Sequence, residues 1–238
     1  MAGSLQDWRG HAVVVGVGGI GAALIADLHH RAPGLQVHGA GRHSPSLPLD
    51  LCDDASLAAF AHRLRSEFQP LRLVIHTAGL LHGPDLQPEK RLAQVQRRAL
   101  ERSFAINAFA PLLLAQALEP CLSRDQPFHF ASLSARVGSI GDNQLGGWYA
   151  YRGAKAAQNQ LLRTLAIEWR RRFPLACVTL LHPGTTATPL SQPFRSGVPA
   201  GRLFSPGQAA SRLLDVLGVQ DPERSGAFLA WDGQPIPW

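Results

Sequence analysis

Six short runs of nearly unbroken apolar residues punctuate this chain of 238 residues: HAVVV (11–15), LQVHGA (35–40), LRLVIHTAG (71–79), PFHFASLS (127–134), LACVTLLH (175–182) and GAFLA (226–230). A strand with one wet face alternates apolar and polar residues, whereas a run without alternation belongs to a strand covered on both faces. Between the runs lie helical patterns, among them IGAALIADLHHR, DASLAAFAHRLRSEF, YAYRGAKAAQNQLLRTLAIEWRRR and PGQAASRLLDVLG. Strands alternating with helices predict right-handed βαβ units. The expected fold is therefore α/β: a doubly wound, Rossmann-like parallel sheet of about seven strands with helices on both faces. No repeat or linker breaks the series, so residues 1–238 are expected to form a single domain. Within it, the Pro/Gly/Ser-rich segment 182–207 is long for a loop and is expected to serve as a lid or substrate loop.

Composition excludes several classes. Hydrophobic content of 45% with 17% charged residues rules out a disordered chain, and the longest apolar runs, such as APLLLAQAL, fall short of the ~20 residues needed to cross a bilayer. No membrane partner is expected. The opening MAGSLQDWRG shows no leader pattern before the first strand, which points to a cytoplasmic location. Cys52, Cys121 and Cys177 are odd in number and widely spaced, suiting reduced core thiols better than a disulfide frame, and no metal site is expected. A net charge of +6 raises the question of nucleic acid, but the arginines are scattered. Their densest cluster, EWRRRF at 168–173, falls at a predicted helix end, where cations complement the helix dipole, so no nucleic-acid partner is expected.

The stretch VVVGVGGIGAALIADL places Gly16, Gly18 and Gly21, with Gly19 and Ile20 between them, in a G-x-G-x-x-G pattern directly after the first strand and opening a helix. Such glycines allow a tight turn, close approach of the backbone to a pyrophosphate, and close packing of helix on strand. A dinucleotide site is expected there. At the end of the second strand a carboxylate would hold a ribose 2′-hydroxyl, whereas an arginine accommodates a 2′-phosphate. The chain reads HGAGRHS, with Arg42 and no carboxylate, so NADP(H) is the expected cofactor and NAD(H) the alternative. Asp50 is a candidate for the adenine edge, with a turn-forming role as the other reading.

Both tyrosines, Tyr149 and Tyr151, and one of only two lysines, Lys155, lie in GGWYAYRGAK. Residues four apart share a helical face, so Tyr151 and Lys155 point together while Tyr149 does not. A phenol becomes a useful acid or base when a neighbouring cation favours its phenolate, and Lys155 is expected to lower the Tyr151 pKa in this way.

These strings resemble the short-chain dehydrogenase/reductase family over essentially the whole length. The resemblance rests on the glycine loop, HTAG at 76–79 in place of the usual Asn-Asn-Ala-Gly, INAFAP at 106–111, YRGAK at 151–155 and HPGTTATPL at 182–190. ARVGSIGDNQLGGWYAYRGAK and the terminal AWDGQPIPW are similar to the C-factor-like branch. The resemblance implies hydride transfer between C4 of a nicotinamide and a carbonyl or alcohol carbon of a small-molecule substrate. Tyr151 would exchange the proton with the substrate oxygen, and Lys155 would bind the nicotinamide ribose. Ala78 and Gly79 would lie against the cofactor, and Pro183, Gly184, Thr185 and Thr188 belong to the stretch that meets the carboxamide. Asn107 matches the helix asparagine of the family; Pro111 has no N–H for its carbonyl, which predicts a kink and a water relaying protons toward Lys155. A homodimer or homotetramer is expected.

Two departures matter. The position matching the catalytic serine is Ala135, which leaves Ser134, Ser139 or no serine to take its place; Ser132 shares a strand face with Ser134. The glycine loop is one residue shorter than usual. A dinucleotide-binding regulatory protein with little turnover therefore stands as the alternative function. Leu81, His82, Leu145 and Trp148 are expected to line a partly apolar substrate pocket.

Overall fold

The first apolar run becomes β1 (Gly10–Val15), whose last four residues, Ala12 through Val15, are buried as a doubly covered strand requires. The computed structural model describes residues 5–199 and 201–238; Met1–Ser4, at the head of the segment in which no leader is expected, lie outside the described residues. From β1 the chain proceeds through α1 (Gly19–Arg31), β2 (Leu35–Gly41), β3 (Leu47–Pro48), α2 (Asp54–Glu67) and β4 (Leu71–His76). It continues with α3 (Arg97–Phe104), a π-helical turn (Ala105–Phe109), α4 (Ala110–Leu118), β5 (Phe128–Leu133) and α5 (Tyr149–Arg172). Then follow β6 (Ala176–His182), β7 (Thr185–Thr186), β8 (Leu203–Phe204), α6 (Pro206–Gly218) and β9 (Ala227–Ala230).

Seven strands form one parallel sheet in the order β3-β2-β1-β4-β5-β6-β9. The seventh strand, β3, has only two residues and pairs Ala40 with Leu47, too short to leave a hydropathy signal. Strand order runs outward from β1 in one direction and from β4 in the other, and this reversal opens a crevice at the carboxyl ends of the two strands. Alternate residues of β1 serve opposite faces. Ala12 and Val14 pack with Leu24 and Leu28 of α1 and Leu213 and Leu217 of α6; Val13 and Val15 pack with Leu57 of α2, Leu114 of α4 and Leu162 of α5. Both faces are thereby closed to water.

Local signals set the helix ends. Asp53 caps α2 by accepting from the Ala55 N–H at 3.0 Å, and Ser205 opens α6 through a capping box with Gln208, followed by Pro206 at the first helical position. α5 ends in Arg170, Arg171 and Arg172, so the basic cluster sits at a helix carboxyl end. Trp169, one turn earlier, is fully buried and meets Phe128, Phe130 and Phe173 edge-on at 5.9, 6.3 and 6.1 Å between ring centroids. Trp169→Ala is expected to destabilise the fold by about 3–5 kcal/mol, read as a lower urea midpoint at unchanged m-value.

Two expectations need correction. Cys121 and Cys177 are buried, but Cys52 is exposed, because its N–H is held by Asp50 in a surface turn ahead of α2. The helical run Arg97–Cys121 is long and apolar enough by composition to cross a membrane, which the short apolar strings conceal; here Ala110, Leu114, Ala115 and Leu118 are fully buried within the protein. Segment 182–207 has structure of its own. β7 pairs with β8, and Pro189–Gly197 coils into 3-10 turns opened by a Thr188–Ser191 capping box.

Candidate active site

The crevice begins at the glycine loop. Gly16 leaves β1 with φ +97° and donates its N–H to the Ala40 carbonyl at 2.8 Å, tying the turn to β2. A Cβ on Gly21 would lie 1.8 Å from the Gly16 carbonyl oxygen and 2.9 Å from Thr77 Oγ1, so helix and turn approach as only glycine permits. A Cβ on Gly18 would meet nothing within 4 Å, and no side chain caps the head of α1. The approach at Gly18 is therefore open and the helix head carries no side-chain cap, which suits a phosphate, while Thr188 covers Gly19 beside it.

A hollow of about 470 Å³ extends from this loop. Gly16, Gly18, Gly19, Ile20, Gly21, Ala78, Gly79, Ser134, Tyr151, Lys155, Pro183 and Thr188 all line it. The remaining candidates lie elsewhere. Arg42 is exposed in the turn after β2, beyond the crevice wall. Asp50 accepts from the Cys52 N–H at 2.9 Å, so its side chain shapes a turn outside the crevice. Gly184 and Thr185 border a separate hollow beside Trp231, and Gly184, at φ +74°, is pressed against Phe204. Leu81 and His82 line the crevice, whereas Leu145 is 93% exposed and Trp148 packs on Phe194 of the Pro189–Gly197 turns at 4.9 Å. Segment 182–207 reaches the crevice through Thr188, Pro189 and Leu190, which line it, and His82 Nε2 meets the Pro189 carbonyl at 3.1 Å.

Tyr151 and Lys155 share one buried stripe of α5, and Tyr149 is exposed. The Lys155 ammonium makes no hydrogen bond to the phenol. Nζ lies 5.8 Å from the Tyr151 ring centroid and donates instead to the Leu133 carbonyl and to Gln158 Oε1, both at 2.9 Å. Burial consequently dominates both groups: it pushes the Tyr151 phenol above the usual tyrosine range and lowers Lys155 to about 7. The expected lowering of the tyrosine pKa is absent in this arrangement, since the cation is turned toward β5.

Asn107 is fully buried in the π-helical turn and does not line the crevice. The helix is interrupted there, but by a π turn, in which the Ala110 N–H reaches back to the Ala105 carbonyl, rather than by a simple proline kink. Its side chain instead grips Leu80: Oδ1 accepts from the Leu80 N–H at 2.9 Å and Nδ2 donates to the Leu80 carbonyl at 2.7 Å. Of the serines, Ser134 lines the crevice and donates to Asn159 Oδ1 at 2.6 Å. Ser139 accepts from the Asp142 N–H, and Ser132 is buried between His76 and Gln158.

A protein-family model described as enoyl-(acyl carrier protein) reductase matches residues 21–234. The 1-hydroxy-2-glutathionyl-2-methyl-3-butene dehydrogenase of Rhodococcus sp. (strain AD45) is 31% identical across 80% of this chain and 78% of its own length. The chain belongs to the short-chain dehydrogenase/reductase family. It is similar to the C-signal protein of Myxococcus xanthus, at 35% identity over 62% of this chain and 83% of that protein, in keeping with the C-factor-like branch. An NADPH-bound carbonyl reductase from chicken fatty liver shares the fold of this short-chain dehydrogenase/reductase, with a TM-score of 0.82, 23% identity, and 98% of this chain and 96% of that one covered.

Several site residues of this short-chain dehydrogenase/reductase escape sequence reasoning. The Thr77 hydroxyl reaches the carbonyls of Gly16 at 2.7 Å and Val15 at 3.0 Å, bracing the glycine turn. A Cβ on Gly138 would sit 2.8 Å from Lys155 Cβ, so this glycine lets the turn after β5 press on the Tyr151–Lys155 stripe. Glu89 holds the head of α5: its carbonyl accepts from the Trp148 N–H at 2.5 Å and its carboxylate from the Ala150 N–H at 3.3 Å. Only Gln158 and Asn159 carried a signal, at three and four positions from Lys155 on the same helix.

Proposed function

We propose that this oxidoreductase is an NADP(H)-preferring carbonyl reductase, or alcohol dehydrogenase in the reverse sense, of a partly apolar small molecule. One observation carries the reading: the Tyr151–Lys155 stripe and the glycine turn line the same crevice. Glycines 16, 18 and 21 with the uncapped head of α1 fit the pyrophosphate of a nicotinamide dinucleotide, and Ala78, Gly79, Pro183 and Thr188 flank its path. When bound, that cofactor supplies or accepts a hydride at nicotinamide C4.

The chain's own groups handle the proton and the water. Buried Tyr151 keeps its proton at neutral pH, so the phenol is present in the form that donates to a substrate oxygen in the reducing direction. Lys155 holds a buried ammonium beside it, and Leu190 and Pro189 of the lid exclude water from the reacting end. Leu80, Leu81 and Leu190 supply an apolar wall for the substrate.

NADPH consumption across a panel of aldehydes and ketones tests the activity. The NADP(H) preference rests on Arg42, an exposed cation at the carboxyl end of β2 where no carboxylate stands. Arg42→Ala is expected to weaken NADPH binding by about 10–100-fold, the worth of a charge-assisted phosphate contact, and to leave NADH binding unchanged in fluorescence titrations. Equal losses for both cofactors would remove the preference.

A second reading is a dinucleotide-binding regulator with little turnover. Ala135 offers no hydroxyl, and the Ser134 hydroxyl donates to Asn159 instead of into the crevice. Tight NADPH binding with no oxidation on any carbonyl of the panel favours it.

A further inference from the structure

Behind the crevice, four polar side chains from β4, β5 and α5 form one buried chain. Lys155 Nζ donates to Gln158 Oε1 at 2.9 Å, and Gln158 Nε2 donates to Ser132 Oγ at 2.8 Å and the Leu133 carbonyl at 3.3 Å. Ser132 Oγ in turn meets His76 Nδ1 at 3.0 Å. All four residues are 2% exposed or less. An amide has one acceptor and one donor end, so an ammonium on Oε1 leaves Nε2 to donate to Ser132, and the Ser132–His76 contact closes the chain with its donor set by the imidazole tautomer.

We propose that Gln158 is a positioning residue for Lys155: its carboxamide, locked by Ser132 and Leu133, holds the ammonium against β5 with one N–H left for the crevice. An ammonium has three donors, and two are taken by Leu133 and Gln158. The third serves whatever hydroxyl or phenol occupies the crevice that Lys155 lines. This inference rests on the cofactor reading above for what that third donor meets, but not for the clamp itself.

The environment makes Gln158 matter. Around Lys155, the titratable neighbours are Tyr151 on its own helix and His76 on β4. Burial first, and the Lys155 charge second, lower His76 to about 3, so it is neutral. Burial is what lowers Lys155, with no carboxylate offsetting it among the described residues. Only two neutral oxygens therefore support the buried charge, and Gln158 supplies one of them.

The chain's having just two lysines makes the test direct. With 13Cε-lysine labelling, the apo protein gives one resonance from exposed Lys90 and one from Lys155, assigned with Lys90→Arg. Wild-type Lys155 is expected to titrate near 7. Gln158→Leu removes an acceptor and should move that midpoint down by about one unit; Gln158→Glu places a carboxylate beside the ammonium and should move it up by about one to three. Opposite shifts support the clamp. Midpoints that stay put, or that move together in both variants, overturn it. Should Gln158→Leu fail to fold, the isosteric Gln158→Glu decides alone by the presence or absence of its upward shift. NADPH titration of the wild type runs alongside: no binding, with the lysine midpoints still moving apart, sinks the cofactor reading and keeps the clamp.

Discussion

Tyr151→Phe is expected to lower kcat for carbonyl reduction by about 10²–10⁴-fold, the usual worth of a positioned general acid, while NADPH affinity changes little. The substitution deletes one hydroxyl from a side chain whose ring is buried against Trp148 at 6.3 Å, so the ring packing and the fold survive. A drop in kcat without a change in NADPH affinity separates a proton donor from a packing residue. Tyr149→Phe is the control: that ring is 42% exposed, faces away from Lys155, and should leave turnover intact. If Tyr151→Phe turned over at the wild-type rate, the acid role assigned to this phenol would be lost. The pH dependence follows from burial. The phenol stays protonated through and above neutrality, so reduction should not fall in the range of an ordinary tyrosine on this account. Lys155, titrating near 7, is the group whose loss of charge should weaken activity as pH rises past neutrality.

The second large effect is Gly21→Ala. In most helices alanine for glycine stabilises by roughly 0.5–1 kcal/mol. Here the new methyl would land 1.8 Å from the Gly16 carbonyl oxygen, and backbone cannot swing aside as a long side chain can. Opening that approach disturbs the turn, the Thr77 contacts that brace it and the head of α1 together. A loss of about 3 kcal/mol in stability and of at least ~100-fold in NADPH affinity is expected, measured by urea denaturation and fluorescence titration. Gly18→Ala should be mild by comparison, since its methyl meets nothing within 4 Å and φ there is −91°. A Gly21→Ala variant as stable and as tight-binding as wild type would refute the close-packed role of this glycine.

Legibility in the sequence followed the range of the interactions involved. The alternation of doubly covered strands with helices was readable because burial on both faces removes polar residues from every position of a strand, a local record of a global layer. The Tyr151–Lys155 stripe was readable because helical spacing is a property of the backbone. Residues after strand ends were harder to place. Asp50 follows β3 and Thr185 follows crevice-lining Pro183 closely, yet one closes a turn and the other pairs with Leu203 in a ribbon. Loop paths depend on which backbone groups find partners across the fold, and nothing local records that. The serine question has the same origin: Ser132, Ser134 and Ser139 look alike in the string, but only Ser134 lines the crevice.

The amino-acid order by itself determined the layered sheet, the turn at which it splits and the helical face carrying a phenol and an amine, because each follows from periodicity within one element. Tertiary structure alone decided where the Lys155 ammonium points. Its partners are a carbonyl on β5 and an amide that Ser132 fixes from the same strand. Only packing the helix onto the sheet brings those oxygens within 3 Å of one nitrogen and shuts out the water that would otherwise replace them.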